Sequence, residues 1–212
     1  MVSRTRGRPL LSEGGAITDE ELLDAVLIAF GENGFDGTSV REIARRLQVS
    51  HNLIPQRFGS KKRLWYAAVD HGFGRVSEEL IREAQTLGTD DLQVLRGLLV
   101  RSIEIYATHP SLLKIANREA SQPGVRLDYL FDTFIKPVRD FGETWLNHLI
   151  DQGRIRPTSV TLIYFMLTYG AGGLFTMPAL TAKLYGEEEV PSARAQAEMA
   201  VNVIFDGLII KE

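Results

Sequence analysis

The stretch FGENGFDGTSVREIARRLQVSHNLIPQRFGSKKRLW, residues 30–65, decides how the chain is read. Within it, Ser39 followed by Glu42 has the spacing of a capping box. Val40, Ile43, Ala44 and Leu47 then recur at i, i+3, i+4 and i+7, the period of a helix barely two turns long. Gln48–Val49 reads as a tight turn. A third short helix follows, capped by Ser50 or Asn52 and ending near Phe58, with Ile54 and Phe58 facing inward. Helices this short bury too little apolar surface to stand alone, so they must pack on one another as a helix-turn-helix.

The pattern continues on both sides. Upstream, Thr18 and Glu21 form another capping box, and Asp19, Glu20 and Glu21 put acids where the helix dipole favours them. Leu22, Leu23, Val26, Leu27 and Phe30 share one face of that helix, which should stop near Gly34. Downstream, a helix should start at Ser60 and run past Glu79, with others at residues 90–108, 110–120, 125–152, 159–175 and 192–210. The last is apolar nearly all round and must bury two sides, one against its own domain and one against a partner subunit. No period-two alternation occurs, so the expected fold class is all-α: a three-helix N-terminal head and a C-terminal helical bundle. The expected division is a basic arm (1–17), a head that includes the start of the fourth helix (18–78), and a bundle for ligand binding and dimerisation (79–212).

Composition narrows the chemistry. The chain of 212 residues has no cysteine, which excludes disulfides, thiolate nucleophiles and Cys-ligated metals. His51, His71, His109 and His148 show no metal-ligand spacing, so no metal or cofactor is expected. Residues 157–182 carry no charge, but Ser, Thr, Gly and Pro interrupt the run and no Lys/Arg cluster flanks it; a buried helix fits better than a membrane span. Residues 1–8 lack an apolar signal core, giving the expectation of a cytoplasmic protein. The formal charge is −3, yet residues 1–65 hold ten Lys/Arg against eight Asp/Glu. That mild asymmetry decides nothing alone.

Lys61, Lys62 and Arg63 open the fourth helix and so oppose its dipole. A phosphate beside that N-terminus would make the arrangement favourable; a solvated basic turn is the bland alternative. On the third helix, His51, Asn52, Leu53, Gln56 and Arg57 should face outward. Asn and Gln suit adenine, Arg suits guanine or phosphate, and Leu53 suits a thymine methyl, although a generic polar surface has the same composition. Pro55 forbids a regular start at His51, so a shifted or 3₁₀-like first turn is predicted, with Ile54 pushed away from α geometry. Arg6 and Arg8, around Gly7, suit a narrow minor groove or a looser phosphate tether.

Together, the Phe-x-x-x-Gly-Phe end of the first helix, Thr-Ser-Val-x-x-Ile-Ala in the second and Phe-x-Ser-Lys-x-x-Leu entering the fourth resemble the tetracycline-repressor (TetR) family. The resemblance covers the first third of the chain. It implies a homodimer on an inverted-repeat operator in double-stranded DNA, usually as a repressor. Ser39, Arg41, Ser50, Lys61 and Lys62 join the recognition-helix residues as expected DNA contacts. The resemblance also implies dimerisation through the last two helices and release by a small-molecule effector bound among helices four to eight. The family usually has an aromatic residue, one that often contacts a phosphate, where this chain has Pro55, so that contact is not carried over; Gly is also frequent where Asn52 stands. For the effector, Tyr106, Asn117, Arg118, Phe134, Trp145, His148 and Tyr169 are polar or aromatic residues among apolar ones; plain core packing is the competing account of each. An all-helical enzyme or carrier, and a protein–protein adaptor built on the last helix, are the other classes open to this sequence, though no catalytic pair or cofactor motif is present.

Overall fold

The computed structural model describes residues 17–186 and 188–210. Its helices are α1 (Asp19–Gly37), α2 (Val40–Arg46), α3 (Leu53–Phe58), α4 (Lys61–Thr86), α5 (Asp91–Thr108) and α6 (Pro110–Ala120). They continue as α7 (Val125–Leu130), α8 (Lys136–Asp151), α9 (Val160–Phe165), α10 (Gly173–Thr176), α11 (Pro178–Tyr185) and α12 (Ala193–Leu208). Extended pairing among the described residues is limited to one antiparallel bridge between Ile155 and Ile209. The all-α expectation holds.

α1 begins as its sequence dictates. The Thr18 side chain accepts from the Glu21 amide at 3.2 Å, and the Thr18 amide donates to the Glu21 carboxylate at 2.9 Å, so the capping box is complete. The regular helix breaks at Gly34, whose φ of 71° and ψ of 177° suit glycine. The box expected at Ser39 is only half formed. Ser39 accepts from the Glu42 amide at 3.4 Å, but the Glu42 carboxylate turns to Arg45 and Arg46 instead.

The described residues bury two apolar cores. The first joins Leu22, Val26 and Phe30 of α1 to Ile43, Ile54, Leu64 and Trp65, and also takes in Leu112 and Ile115 of α6 and Leu130 of α7. The head therefore shares its core with the bundle, across the boundary expected near residue 78. Gly72 permits the close approach: a Cβ there would lie 2.5 Å from Leu112 Cδ2 and 2.8 Å from Leu27 Cδ1. The second core packs Leu99 and Ile103 of α5 and Leu149 of α8 against Ile163, Val201 and Phe205.

Two long helices expected from the sequence are interrupted by π-turns, Phe131–Ile135 and Met166–Ala171. A further helix, α11, was not expected at all. It follows an 83° bend at Met177, within the uncharged run, and no single helix among the described residues is long and apolar enough to cross a membrane. The penultimate helix is therefore α11 rather than the expected 159–175 segment.

Candidate nucleic-acid interface

The turn between α2 and α3 is closed by the Val49 amide, which donates to Ala44 O at 3.0 Å, and by Gln48 in a left-handed conformation with φ of 55°. The Leu53 amide then reaches Ser50 O at 3.0 Å, an i→i−3 bond of 3₁₀ type, and the Gln56 amide reaches Asn52 O at 2.9 Å. Helix α3 starts at Leu53, so Pro55 is its third residue, where an amide has no intrahelical partner. The shifted start expected from Pro55 is present. Ile54 departs from expectation: it lies within the helix and is 2% exposed.

This seating exposes the side chains of His51, Asn52 and Gln56, which make no hydrogen bond among the described residues. Ser50, also exposed, accepts from the Asn52 amide at 3.4 Å. Two residues expected to face outward are engaged elsewhere. Leu53 is half-buried and packs on the first core. Arg57 Nη1 donates to Asp19 Oδ1 at 2.8 Å and to Ile17 O at 3.1 Å, at the start of α1.

The basic residues divide in the same way. Arg41 is exposed and forms no ion pair among the described residues, whereas Arg45 and Arg46 both bond Glu42. Hydrogen bonds from Arg45, then Arg46, hold the Glu42 carboxyl down at about 2. Lys61 Nζ donates to Asp36 O at 3.2 Å and sits 4.8 Å from the centre of the Phe35 ring. Its place in the first turn of α4 thus has a structural use, the capping of a carbonyl just past α1's break. Lys62 is exposed, 5.9 Å from the Tyr66 ring centre. Arg6 and Arg8 lie outside the described residues.

The seven residues considered for an effector do not converge on one cavity. Tyr106 and Thr168 meet in the second core with hydroxyls 3.4 Å apart, and burial raises the Tyr106 pKa. Tyr164 stands beside them, pushed to about 12 by burial and by the neighbouring Tyr106 and Tyr169. Asn117 has a buried Oδ1 without a partner. Phe134 stacks on Phe73 at the edge of the first core, with centroids 5.2 Å apart. Trp145 is half-buried 5.7 Å from Phe141, and exposed His148 pairs with Gln152 at 2.8 Å. Tyr169 is 41% exposed and stacks on Phe165. Arg118 reaches Glu32 O at 3.3 Å and lines a cleft of about 390 Å³ between the end of α1 and the α6–α7 loop. A second cleft, of about 240 Å³, lies between α8 and the loop before α9 and is lined by none of the seven.

Sequence reading missed Asp19 and Glu42 as partners of the basic residues, and Thr168 as the polar centre of the second core. Only Glu42 carried a local signal, with arginines at i+3 and i+4.

Residues 22–68 match the model of a family described as bacterial regulatory proteins, tetR family. The HTH-type transcriptional repressor NicS of Pseudomonas putida is 24% identical over 122 residues, 58% of this chain and 57% of that protein. The chain thus matches little more than half of that relative's length. In solved structures, the ketosteroid transcriptional regulator KstR2 of Mycobacterium tuberculosis superposes with a TM-score of 0.67 at 23% identity, covering 93% of this chain and 98% of that one. AibR, in complex with isovaleryl coenzyme A and operator DNA, gives 0.63 at 20% identity, covering 86% and 95%. At these identities the likeness speaks for the fold.

Proposed function

We propose, from the match of residues 22–68 to the tetR family of bacterial regulatory proteins, that this chain is a transcriptional repressor of that family, acting in the cytoplasm as a homodimer on an inverted-repeat operator and released by a small-molecule effector. The observation that carries this reading is the seating of α3. Ile54 is buried beneath it, while His51, Asn52 and Gln56 stand exposed and unengaged on the far side. Such side chains suit base edges in a major groove. Ser39, Arg41, Ser50 and Lys62 are the flanking contacts we assign to phosphates, with Lys61 exchanging its bond to Asp36 O for one. Arg6 and Arg8 would extend the contact along the DNA. Residues 18–78 are the head in this reading, and 79–212 serve the effector and the dimer.

The dimer reading rests on apolar surface left open by the fold. Leu162, Phe165 and Met166 are 56%, 52% and 40% exposed, and on α12 Met199 and Val203 are 50% and 72% exposed. For the effector we favour the second core around Tyr106, Tyr164 and Thr168, beside the π-turn Met166–Ala171. Hydroxyls set in an apolar core are the kind of anchor small-molecule sites use, and π-turns often mark such sites. AibR was solved with an acyl coenzyme A and operator DNA, which makes acyl thioesters the first effectors to test.

The test is a mobility-shift titration of the purified chain on duplexes selected from a random pool, run over a salt series. The expected result is preference for one palindrome and a steep loss of affinity with salt. Absence of binding at low salt would reject the reading.

A further inference from the structure

Arg57 is the one recognition-helix cation, and the fold has already given it a task. Its Nη1 holds both the Asp19 carboxylate and Ile17 O, joining the last turn of α3 to the first turn of α1. Both helix ends favour the pair, since a cation suits the C-terminus of one helix and an anion the N-terminus of the other. The Arg57 side chain is only 29% exposed.

Helix α3 needs such an anchor. It has six residues and no side-chain N-cap bond. A helix that short has little stability of its own. Its apolar seat is the row of Ile54 and Phe58, four residues apart, with Leu53 beside it. One row fixes the depth of a short helix and leaves it free to roll about that row. Arg57, flanking the row, ties the helix sideways to α1. Rolling would carry the tips of His51, Asn52 and Gln56 away from any base edge they read, and direct readout demands bidentate geometry.

We propose that Arg57 is a positioning residue for operator discrimination, acting through Asp19, rather than a reader of bases or phosphates. The proposal rests on the head binding DNA. The full-length chain and its variants Arg57→Gln, Asp19→Asn and the double variant would be titrated, over a salt series, on the palindrome selected by the unaltered protein and on the unselected random pool. Each single variant should lose about tenfold on the palindrome, the scale of one mismatched base pair. The double variant should lose no more than either, as expected of one shared interaction. Binding to the pool and the salt slope should stay unchanged.

Tighter binding by Asp19→Asn, or a fall of about 1.8 in the Arg57→Gln salt slope (about 0.9 for each of the dimer's two arginines), would identify Arg57 as a phosphate contact and overturn the proposal. Equal losses on palindrome and pool would also overturn it, pointing to general destabilisation of the head; a thermal melt of each variant separates that effect. Failure of the unaltered chain to bind any duplex would instead remove the DNA reading itself.

Discussion

Replacing Gly34 with alanine should destabilise the protein by about 1–3 kcal/mol, chiefly through the backbone. Gly34 has φ of 71° and ψ of 177°, a combination nearly reserved for glycine, and holding another residue there costs about 1–3 kcal/mol. The new Cβ would also lie 2.7 Å from Arg118 Cδ, so Arg118 must swing out and give up its bond to Glu32 O. That side chain is exposed, which limits the added loss to about 1 kcal/mol or less. Against these stands a gain of about 0.4–1 kcal/mol, because alanine restricts the unfolded chain. For a chain of this length, the net effect lowers the melting temperature by about 3–10 °C.

Thermal unfolding followed by circular dichroism measures the shift, with Gly124→Ala as control. Gly124 is extended at φ of 170°, and a Cβ there meets nothing within 4 Å, so the control should keep only the unfolded-chain gain and melt about 1–4 °C above the unaltered protein. Adding Arg118→Ala to Gly34→Ala removes the collision but leaves the strained backbone, and most of the loss should persist. A Gly34→Ala protein melting within about 1 °C of the original would refute the strain argument, as would full recovery in the double variant.

Thr38 is 4% exposed and its hydroxyl donates to Gly34 O at 2.6 Å, so Thr38→Val should cost about 1–3 kcal/mol in a denaturant titration by leaving a buried carbonyl unpaired; an unchanged midpoint would contradict this. The Glu42 carboxyl, lowered from 4.5 to about 2, should show that midpoint in an NMR titration. Since its folded pKa is depressed, its contribution to stability is present above about 4.5 and lost as pH falls through about 2, and Arg45→Ala should move the midpoint upward. Phe165→Glu puts a charge in the middle of the proposed dimer face. Sedimentation equilibrium should show dimer affinity falling at least about a hundredfold, as for a central hot spot, and an unaltered dimer would exclude this face.

What was legible from residue order alone was short in range. The Thr18–Glu21 box and the stop at Gly34 depend on groups three or four positions apart, and both formed as read. Pro55 announced its own shifted helix start, because a missing amide is a local property. The Ser39–Glu42 box went half wrong over an equally short range. Arginines at i+3 and i+4 outbid the helix terminus for the Glu42 carboxylate, and a charged partner forms the stronger hydrogen bond.

The larger misreadings involve partners far along the chain. Arg57 was assigned to DNA, but Asp19 lies 38 positions upstream. The apparent conflict of Lys61 with its helix dipole ends at Asp36 O, 25 positions away. The seven effector residues share a composition but not a location, because helical spacing reports which face is apolar and not which helix covers it. Helix α11 was hidden in an uncharged run whose continuity conceals the bend before Pro178. Residue order thus settled the first helix with its Thr18 cap and the helix-turn-helix, products of local hydrogen bonding and a 3.6-residue period. Packing settled which exposed cations and polar groups remain free, since a side chain's availability depends on whatever distant segment the fold brings beside it.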